Sequence, residues 1–121
     1  MTKEDKELLL RDLCARLPYG VKVQTPLMND EITLTCGDIS AYFFNRDCDI
    51  TPLPYLRTMS SMTDEELAEY ELLANHCMCT SVGFVHLEIQ SLIDWLNAHH
   101  FDYRGLIDKG LALEAPEGMY N

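Results

Sequence analysis

Apolar side chains recur at helical spacing near the start of the chain, with charged side chains opposite them. The apolar face comprises Leu9, Leu10, Leu13, Cys14 and Leu17. This pattern predicts an amphipathic helix over Lys3–Leu17, with Thr2 or Lys3 at its N-terminus. Pro18 ends the helix because proline lacks the amide hydrogen that the helical ladder needs.

Alternation with a period of two follows this helix. Val21–Thr25 and Glu31–Cys36 both alternate and are separated by a turn, so they predict an antiparallel hairpin. A second turn at Gly37–Asp38 and the apolar run Ile39–Phe44 predict a third strand. Asn45–Ser61 is interpreted as a packed loop, because its two prolines, Pro52 and Pro54, exclude a helix and any central strand.

The clearest local signal is a helix start at Thr63. Thr63 with Glu66 three residues later is a capping box, and Met62 with Leu67 has the spacing of a hydrophobic staple. A helix over Thr63–Asn75 is predicted. Its buried side chains are expected to be Leu67, Tyr70 and Leu73.

The last third of the chain predicts a longer helix and a final strand. A continuous apolar stripe favours a helix over Phe84–His99, and alternation favours a strand over Leu111–Ala115 with Leu111 and Leu113 inward. We expect one core in which both long apolar stripes meet. The residues assigned to it are Leu13, Leu92, Trp95 and Leu96.

These elements together predict an α+β fold in a single domain over residues 1–121, with three helices on a small antiparallel sheet of three to four strands. A length of 121 residues, 47% of them apolar, suits one domain with one core. No apolar run approaches the ~20 residues that span a bilayer, and the N-terminus lacks a signal-peptide pattern. A cytoplasmic protein with five reduced cysteines is therefore expected.

The distribution of charge along the chain says more about possible binding partners than the composition does. The net charge is -11, which disfavours direct nucleic-acid binding because a phosphate backbone needs cations opposite it. No Lys or Arg falls between Thr58 and Tyr103, whereas eight acids do. Such a segment attracts basic partners, although it can also serve only to keep the protein in solution. The acids are Asp64, Glu65, Glu66, Glu69, Glu71, Glu88, Asp94 and Asp102.

Metal binding is the first alternative considered for the chemistry. His76, Cys77 and Cys79 place three side chains capable of binding zinc within four residues. Structural zinc usually takes two cysteines separated by two residues, so Cys-x-Cys is a poorer chelate. The competing interpretation is a turn with one buried thiol. We therefore predict no resident cofactor and keep zinc as an alternative.

A polar cluster follows the last predicted helix. His99, His100, Asp102 and Arg104 have the chemistry to bind an anionic ligand or a partner. They also suit a tight turn, in which His99 lies at a helix C-terminus and Asp102 and Arg104 satisfy backbone groups. The structural interpretation is favoured.

The sequence gives no positive indication of an enzyme. It contains no phosphate-binding loop, no dinucleotide fingerprint and no metalloprotease helix. A nucleophilic cysteine beside a histidine base has no supporting glycine-rich elbow or oxyanion-hole sequence.

One resemblance adds a biological context. The block DWLNAHHFDYRGLIDKGLALEAPEGMYN, with PYLRTMSSMTDEE and LLLRDLCARLPYGVKV, resembles segments of small acidic uncharacterised proteins of gut Bacteroidetes phages and mobile elements. These segments cover about half of the chain. The resemblance implies an accessory protein of a mobile genome and implies no activity, cofactor or catalytic residue.

The sequence thus leads to two hypotheses about function. In the first, an acidic interaction module binds a basic protein through Asp64, Glu65, Glu66 and Glu69. In the second, the protein binds a small ligand or a metal through the 99–104 turn and the pair Cys77 and Cys79. The oligomeric state is left open.

Overall fold

The computed structural model describes residues 2–26, 30–44, 50–79 and 85–120, and the side chains of all of these except 76–79 and 85–88. Within these residues the chain forms four α-helices and a four-stranded mixed sheet, which confirms the predicted α+β class. The helices are α1 (Lys3–Arg16), α2 (Cys36–Phe43), α3 (Asp64–Cys79) and α4 (Val85–Ala98). The strands are β1 (Lys22–Gln24), β2 (Glu31–Thr33), β3 (Leu53–Leu56) and β4 (Leu113–Glu114).

Helix α1 begins where the sequence predicts. Thr2 Oγ1 accepts a hydrogen bond from Asp5 N at 3.0 Å, and Asp5 Oδ2 accepts one from Thr2 N at 3.4 Å, so the two residues form a capping box. Leu9 and Leu13 are fully buried, as expected. Cys14 is exposed, so its assignment to the buried face is wrong.

The sheet has the order β2-β1-β3-β4. β1 and β2 form the predicted antiparallel hairpin, with Val23 opposite Ile32. β3 pairs antiparallel with β1 and parallel with β4, so the expected all-antiparallel sheet is corrected to a mixed one. β4 itself is shorter than the strand predicted over Leu111–Ala115.

The segment interpreted as a loop contains the central strand β3, so that interpretation is wrong. Pro54 lies opposite Val23 of β1, whereas β4 reaches β3 only from Tyr55 onward. Pro54 therefore has a neighbouring strand on one side only. Its missing amide hydrogen then does not interrupt a ladder on the other side.

The third predicted strand, Ile39–Phe44, is also wrong, because these residues belong to α2 or follow it directly. Thr35 Oγ1 accepts a hydrogen bond from Asp38 N at 3.3 Å, and Asp38 Oδ2 accepts one from Thr35 N at 2.9 Å. This second capping box fixes the helix start, after which Ile39 is buried one turn further on. The capping box, and not the apolar run, therefore determines that this segment is a helix.

Helices α3 and α4 pack against each other on one side of the molecule. α4 lies within the range predicted for it, and α3 runs four residues further than predicted. Leu67 of α3 is 44% exposed, which corrects its assignment as a buried residue, while Tyr70 and Leu73 are half-buried. No helix in the described part of the chain is long and apolar enough to span a membrane.

The main core lies between α1, α2 and the sheet and includes Leu13. Its buried members are Leu9, Leu13, Val21, Val23, Leu34, Ile39, Leu56, Leu106, Leu111 and Ala112. Trp95 and Leu92 are only half-buried, and Leu96 is buried but is not a member of this cluster, so the expected single core of these residues with Leu13 is wrong. The Trp95 ring packs instead in an aromatic cluster, 5.7 Å from the Phe101 ring and 6.1 Å from that of Tyr70.

Candidate functional site

The acidic residues at the start of α3 divide into two groups. The predicted capping box is present, because Glu66 N donates to Thr63 Oγ1 at 3.2 Å and Thr63 N donates to Glu66 Oε1 at 3.0 Å. Arg57 also binds both carboxylate oxygens of Glu66 at 2.7 Å. This hydrogen-bonded guanidinium lowers the pKa of Glu66 to about 2. Glu66 is therefore an anchor for the helix start.

Glu69 has an internal contact as well. Its Oε2 accepts a hydrogen bond from Trp95 Nε1 at 2.9 Å, which joins α3 to α4. Asp64 and Glu65 are exposed and form no ion pair with any residue that the structure describes. Two of the four predicted partner-binding acids, Glu66 and Glu69, thus have contacts within the fold, although Glu69 is itself exposed; the other two are exposed without an ion pair to a described residue.

The histidines of the 99–104 turn have separate surroundings. His99 Nδ1 lies 2.9 Å from Trp95 O, and the His99 and Trp95 rings are tilted by 30° with their centroids 4.2 Å apart. His100 is buried in a left-handed conformation (φ 63°), and its ring stacks on Tyr120 at 3.6 Å. Burial, with the nearby Arg16 charge, lowers the pKa of His100 to about 4.

Asp102 and Arg104 make contacts of their own within the fold. Asp102 accepts hydrogen bonds from Leu106 N at 2.8 Å and Ile107 N at 3.0 Å, and so closes the turn. Arg104 Nε lies 3.2 Å from Asp12 Oδ1, close enough for an ion pair although the atoms are not aligned for a hydrogen bond. Each polar side chain of the turn has an internal contact, although the buried His100 Nδ1 has no hydrogen-bond partner among the described residues. Ligand binding by these four residues stays a prediction.

A buried ion pair on α1 escaped the sequence analysis. Asp12 and Arg16 are fully buried, and Arg16 Nε donates to Asp12 Oδ2 at 2.8 Å. Arg16 Nη2 donates to Phe101 O at 2.6 Å, which ties α1 to the 99–104 turn. The available signal was spacing, because both residues fall on the same helical stripe as Leu9 and Leu13. A paired charge is what allows such positions to be buried.

The predicted zinc ligands are His76, Cys77 and Cys79, and only their backbone lies within the described part of the structure. The backbone of His76, Cys77 and Cys79 belongs to α3, while their side chains lie outside the described residues. Among the side chains that are described, no cluster of three His, Cys, Asp or Glu could hold a metal ion. Zinc binding therefore stays untested.

A cleft of about 400 Å³ lies where two parallel strands end. One wall is the segment that follows β3, and the other is the segment that follows β4. Ala115 N donates to Leu56 O at 2.8 Å where the two walls meet. The lining residues are Arg57, Thr58, Ser61, Thr63 and the continuous segment 114–120.

Both walls of the cleft are held by hydrogen bonds. Ser61 Oγ donates to Thr58 O at 2.7 Å in the first wall. In the second wall, the Tyr120 hydroxyl donates to Tyr55 O at 2.6 Å and accepts from Lys22 N at 2.9 Å. Burial raises the pKa of Tyr120 to about 12, so this hydroxyl keeps its proton across the physiological range. The cleft is consequently a fixed feature of the fold.

The charges of the cleft are unbalanced. Arg57 is its one basic lining residue, and that charge is already neutralised by Glu66. Glu114 and Glu117 are exposed and have no ion pair with a described residue. Asp64 and Glu65 follow directly on Thr63, which lines the cleft. The cleft and its border are therefore acidic.

In comparisons with known proteins, no family model, no curated protein and no solved structure matches this chain. The resemblance to proteins of phages and mobile elements accordingly stays a prediction.

Proposed function

We propose that this protein is an acidic protein-interaction module that binds a basic protein in the cytoplasm, as an accessory protein of a phage or mobile element. One observation carries the proposal: four exposed acidic residues without an ion pair among the described residues either line one cleft or follow directly on a residue that lines it. They are Asp64, Glu65, Glu114 and Glu117. The net charge of -11 acts in the same direction.

Uncompensated carboxylates on one surface repel one another, and basic side chains of a partner relieve that repulsion. Charges at the border of an interface act mainly on the rate of association and on its salt dependence. Screening at physiological ionic strength has a length of about 8 Å, so raising the salt concentration should slow association strongly. Glu66 and Glu69 contribute indirectly, since their internal contacts hold the helix that carries Asp64 and Glu65.

The test begins with capture of partners from the lysate of the native host and continues with a purified partner. Association rates are measured for the wild type and for the double variant Asp64→Asn, Glu65→Gln. The matched control removes two exposed carboxylates from α1 by Glu4→Gln and Glu7→Gln. The proposal expects slower association for the first variant, little change for the control, and a strong dependence on salt.

The contrary result is equally clear. A partner whose association rate ignores both salt and the Asp64 and Glu65 substitutions does not use an acidic surface. Substituting Glu66 is avoided in this experiment, because glutamine there would disturb Arg57 and the start of α3.

A further inference from the structure

The geometry points to a specific pocket: we propose that the cleft between Arg57–Thr63 and Glu114–Tyr120 receives one basic side chain, arginine or lysine, of the partner protein. This inference rests on the proposed function and deepens it. It assigns the central contact to Glu114 and Glu117, which lie far along the chain from the acidic helix α3.

The position of the cleft is the first argument. β3 and β4 run parallel, with Leu56 opposite Glu114, and the cleft is formed by the residues that follow each strand. The segments after the two strands are joined by the hydrogen bond from Ala115 N to Leu56 O, and the cleft lies between them. A volume of about 400 Å³ is within the range of ligand pockets in proteins.

The chemistry of the lining selects a cation. The pairing of Arg57 with Glu66 leaves two acidic residues that line the cleft, Glu114 and Glu117, both exposed and without a counter-charge among the described residues. Ser61 Oγ donates its proton to Thr58 O, so its lone pairs stay available as acceptors. A guanidinium or ammonium group supplies several donors and a positive charge, whereas an anion would meet two carboxylates.

The walls do not need to rearrange for this ligand. Arg57 N donates to His100 O and Asp102 N donates to Arg57 O, both at 2.8 Å, so the first wall is fixed to the 99–104 turn. The second wall turns at Gly118 (φ 84°) and is anchored beyond the turn by Tyr120. Groups already held in place bind with a smaller loss of conformational entropy than mobile ones.

The surroundings favour a protein segment over a free amine as the source of the cation. Asp64 and Glu65 follow Thr63 of the cleft directly in the chain, and both are exposed at the start of α3. One basic side chain in the cleft therefore leaves exposed carboxylates beside it for neighbouring basic residues of the same segment. A small amine would use the cleft alone.

The test uses a short fluorescein-labelled peptide of alternating Gly and Arg, with an otherwise identical peptide that carries neutral citrulline. Anisotropy titrations compare wild type with the variant Glu114→Gln, Glu117→Gln and with the matched control Glu4→Gln, Glu7→Gln. We expect the arginine peptide to bind and the citrulline peptide not to bind. The cleft variant should bind about tenfold more weakly and the control should change by less than about twofold.

Amide chemical shifts locate the binding site independently of affinity. The arginine peptide should shift the amide signals of Thr58, Ser61 and Gly118 in the wild type. Thermal unfolding confirms that the cleft variant is folded, and the single variant Glu117→Gln replaces it in the titration if it is not. Shifts confined to other regions, or equal losses in the cleft variant and the control, would overturn the assignment of the cleft.

Two further outcomes separate this inference from the proposed function. If a captured partner depends on Asp64 and Glu65 but not on Glu114 and Glu117, the cleft assignment fails and the acidic interaction module stands. If no arginine peptide and no basic partner binds, both fail. Spermine is titrated in parallel, and tighter binding of spermine than of the peptide at the same amides would overturn the assignment to a protein side chain.

Discussion

The Arg57–Glu66 ion pair permits a sharp test of how α3 is held, through the single change Glu66→Gln. Glutamine keeps the size of the side chain and an oxygen that can accept the hydrogen bond from Thr63 N. The change removes the charge that faces Arg57 and also one acceptor, because the amide nitrogen that replaces Oε2 cannot accept from Arg57 Nη1. With side-chain exposures of 21% and 16%, the pair is between a surface and a buried ion pair.

The expected magnitude follows from that intermediate burial. An exposed ion pair contributes up to about 1 kcal/mol, and a hydrogen bond to a charged group about 1.5–3 kcal/mol. The contact has two such hydrogen bonds, both 2.7 Å long, and is still partly screened by solvent. We expect Glu66→Gln to lower the free energy of unfolding by about 1–2 kcal/mol, measured by urea denaturation near neutral pH.

The pH dependence supplies a second measurement on the same variant. The pKa of Glu66 is lowered from 4.5 to about 2, so the unfolded chain binds this proton at a higher pH than the folded chain does. The stabilisation is complete above about pH 4.5 and is lost as the pH falls toward about 2. The difference between wild type and variant should therefore be constant above about pH 5 and shrink below it.

A matched control is the exposed neighbour Glu65→Gln, which should change stability by less than about 0.5 kcal/mol. Coupling is measured by adding Arg57→Gln, alone and together with Glu66→Gln. If Glu66→Gln is no more destabilising than Glu65→Gln, or if the coupling energy between Arg57 and Glu66 is zero, the ion pair does not hold the start of α3.

Three other predictions concern stability. Leu13→Ala should lower the free energy of unfolding by about 2–5 kcal/mol in urea denaturation, because Leu13 is fully buried. The same change at the exposed Leu67 should lower it by less than about 0.5 kcal/mol. Equal losses would contradict the assigned core. Thr63→Ala should cost about 0.5–2 kcal/mol, and unchanged amide protection in the first turn of α3 would argue against the cap. The pKa of His100 is lowered from 6.5 to about 4, so the wild type should lose stability as the pH falls between these values. The variant His100→Asn should not lose stability in this range, and asparagine tolerates the left-handed backbone. Parallel pH profiles of the two proteins would show that His100 does not cause the loss.

Local signals in the sequence predicted the helices best. The capping box predicted at Thr63 is formed in the structure, and the start predicted for α1 at Thr2 or Lys3 is correct, with a capping box at Thr2. The same kind of box at Thr35 was missed, because the apolar run after Asp38 suggested a strand. The error came from weighing hydrophobic pattern above cap chemistry.

Non-local pairing was predicted less well. β3 is central even though it contains Pro54, and what makes proline acceptable there is the offset between the two neighbouring strands. That offset depends on where β4 joins the sheet, which no local pattern encodes. The cleft was missed for the same reason, since its walls come from segments that follow β3 and β4 and meet only in the folded chain.

The candidate acidic site was predicted in part. Composition located the acids of α3, but it gave no information on which carboxylates have partners. Glu66 is bound by Arg57, and Glu69 is bound by Trp95. Glu114 and Glu117 were not predicted as site residues, because their segment of the sequence also contains basic residues. Charge counted along the chain differs from charge on a surface, because pairing across the fold removes some of it.

The buried link between Arg16 and Phe101 has a consequence for how the protein is made. The Arg16 guanidinium on α1 donates to the carbonyl of Phe101, 85 residues further along the chain. The sheet is likewise complete only when β4 pairs with β3. Closing such long loops is entropically costly and slows folding. During synthesis, α1 can form early but has nothing against which to bury Asp12 and Arg16 until the last third of the chain has left the ribosome. Folding should therefore follow translation of this domain instead of accompanying it, with the inner face of α1 accessible to chaperones in the meantime.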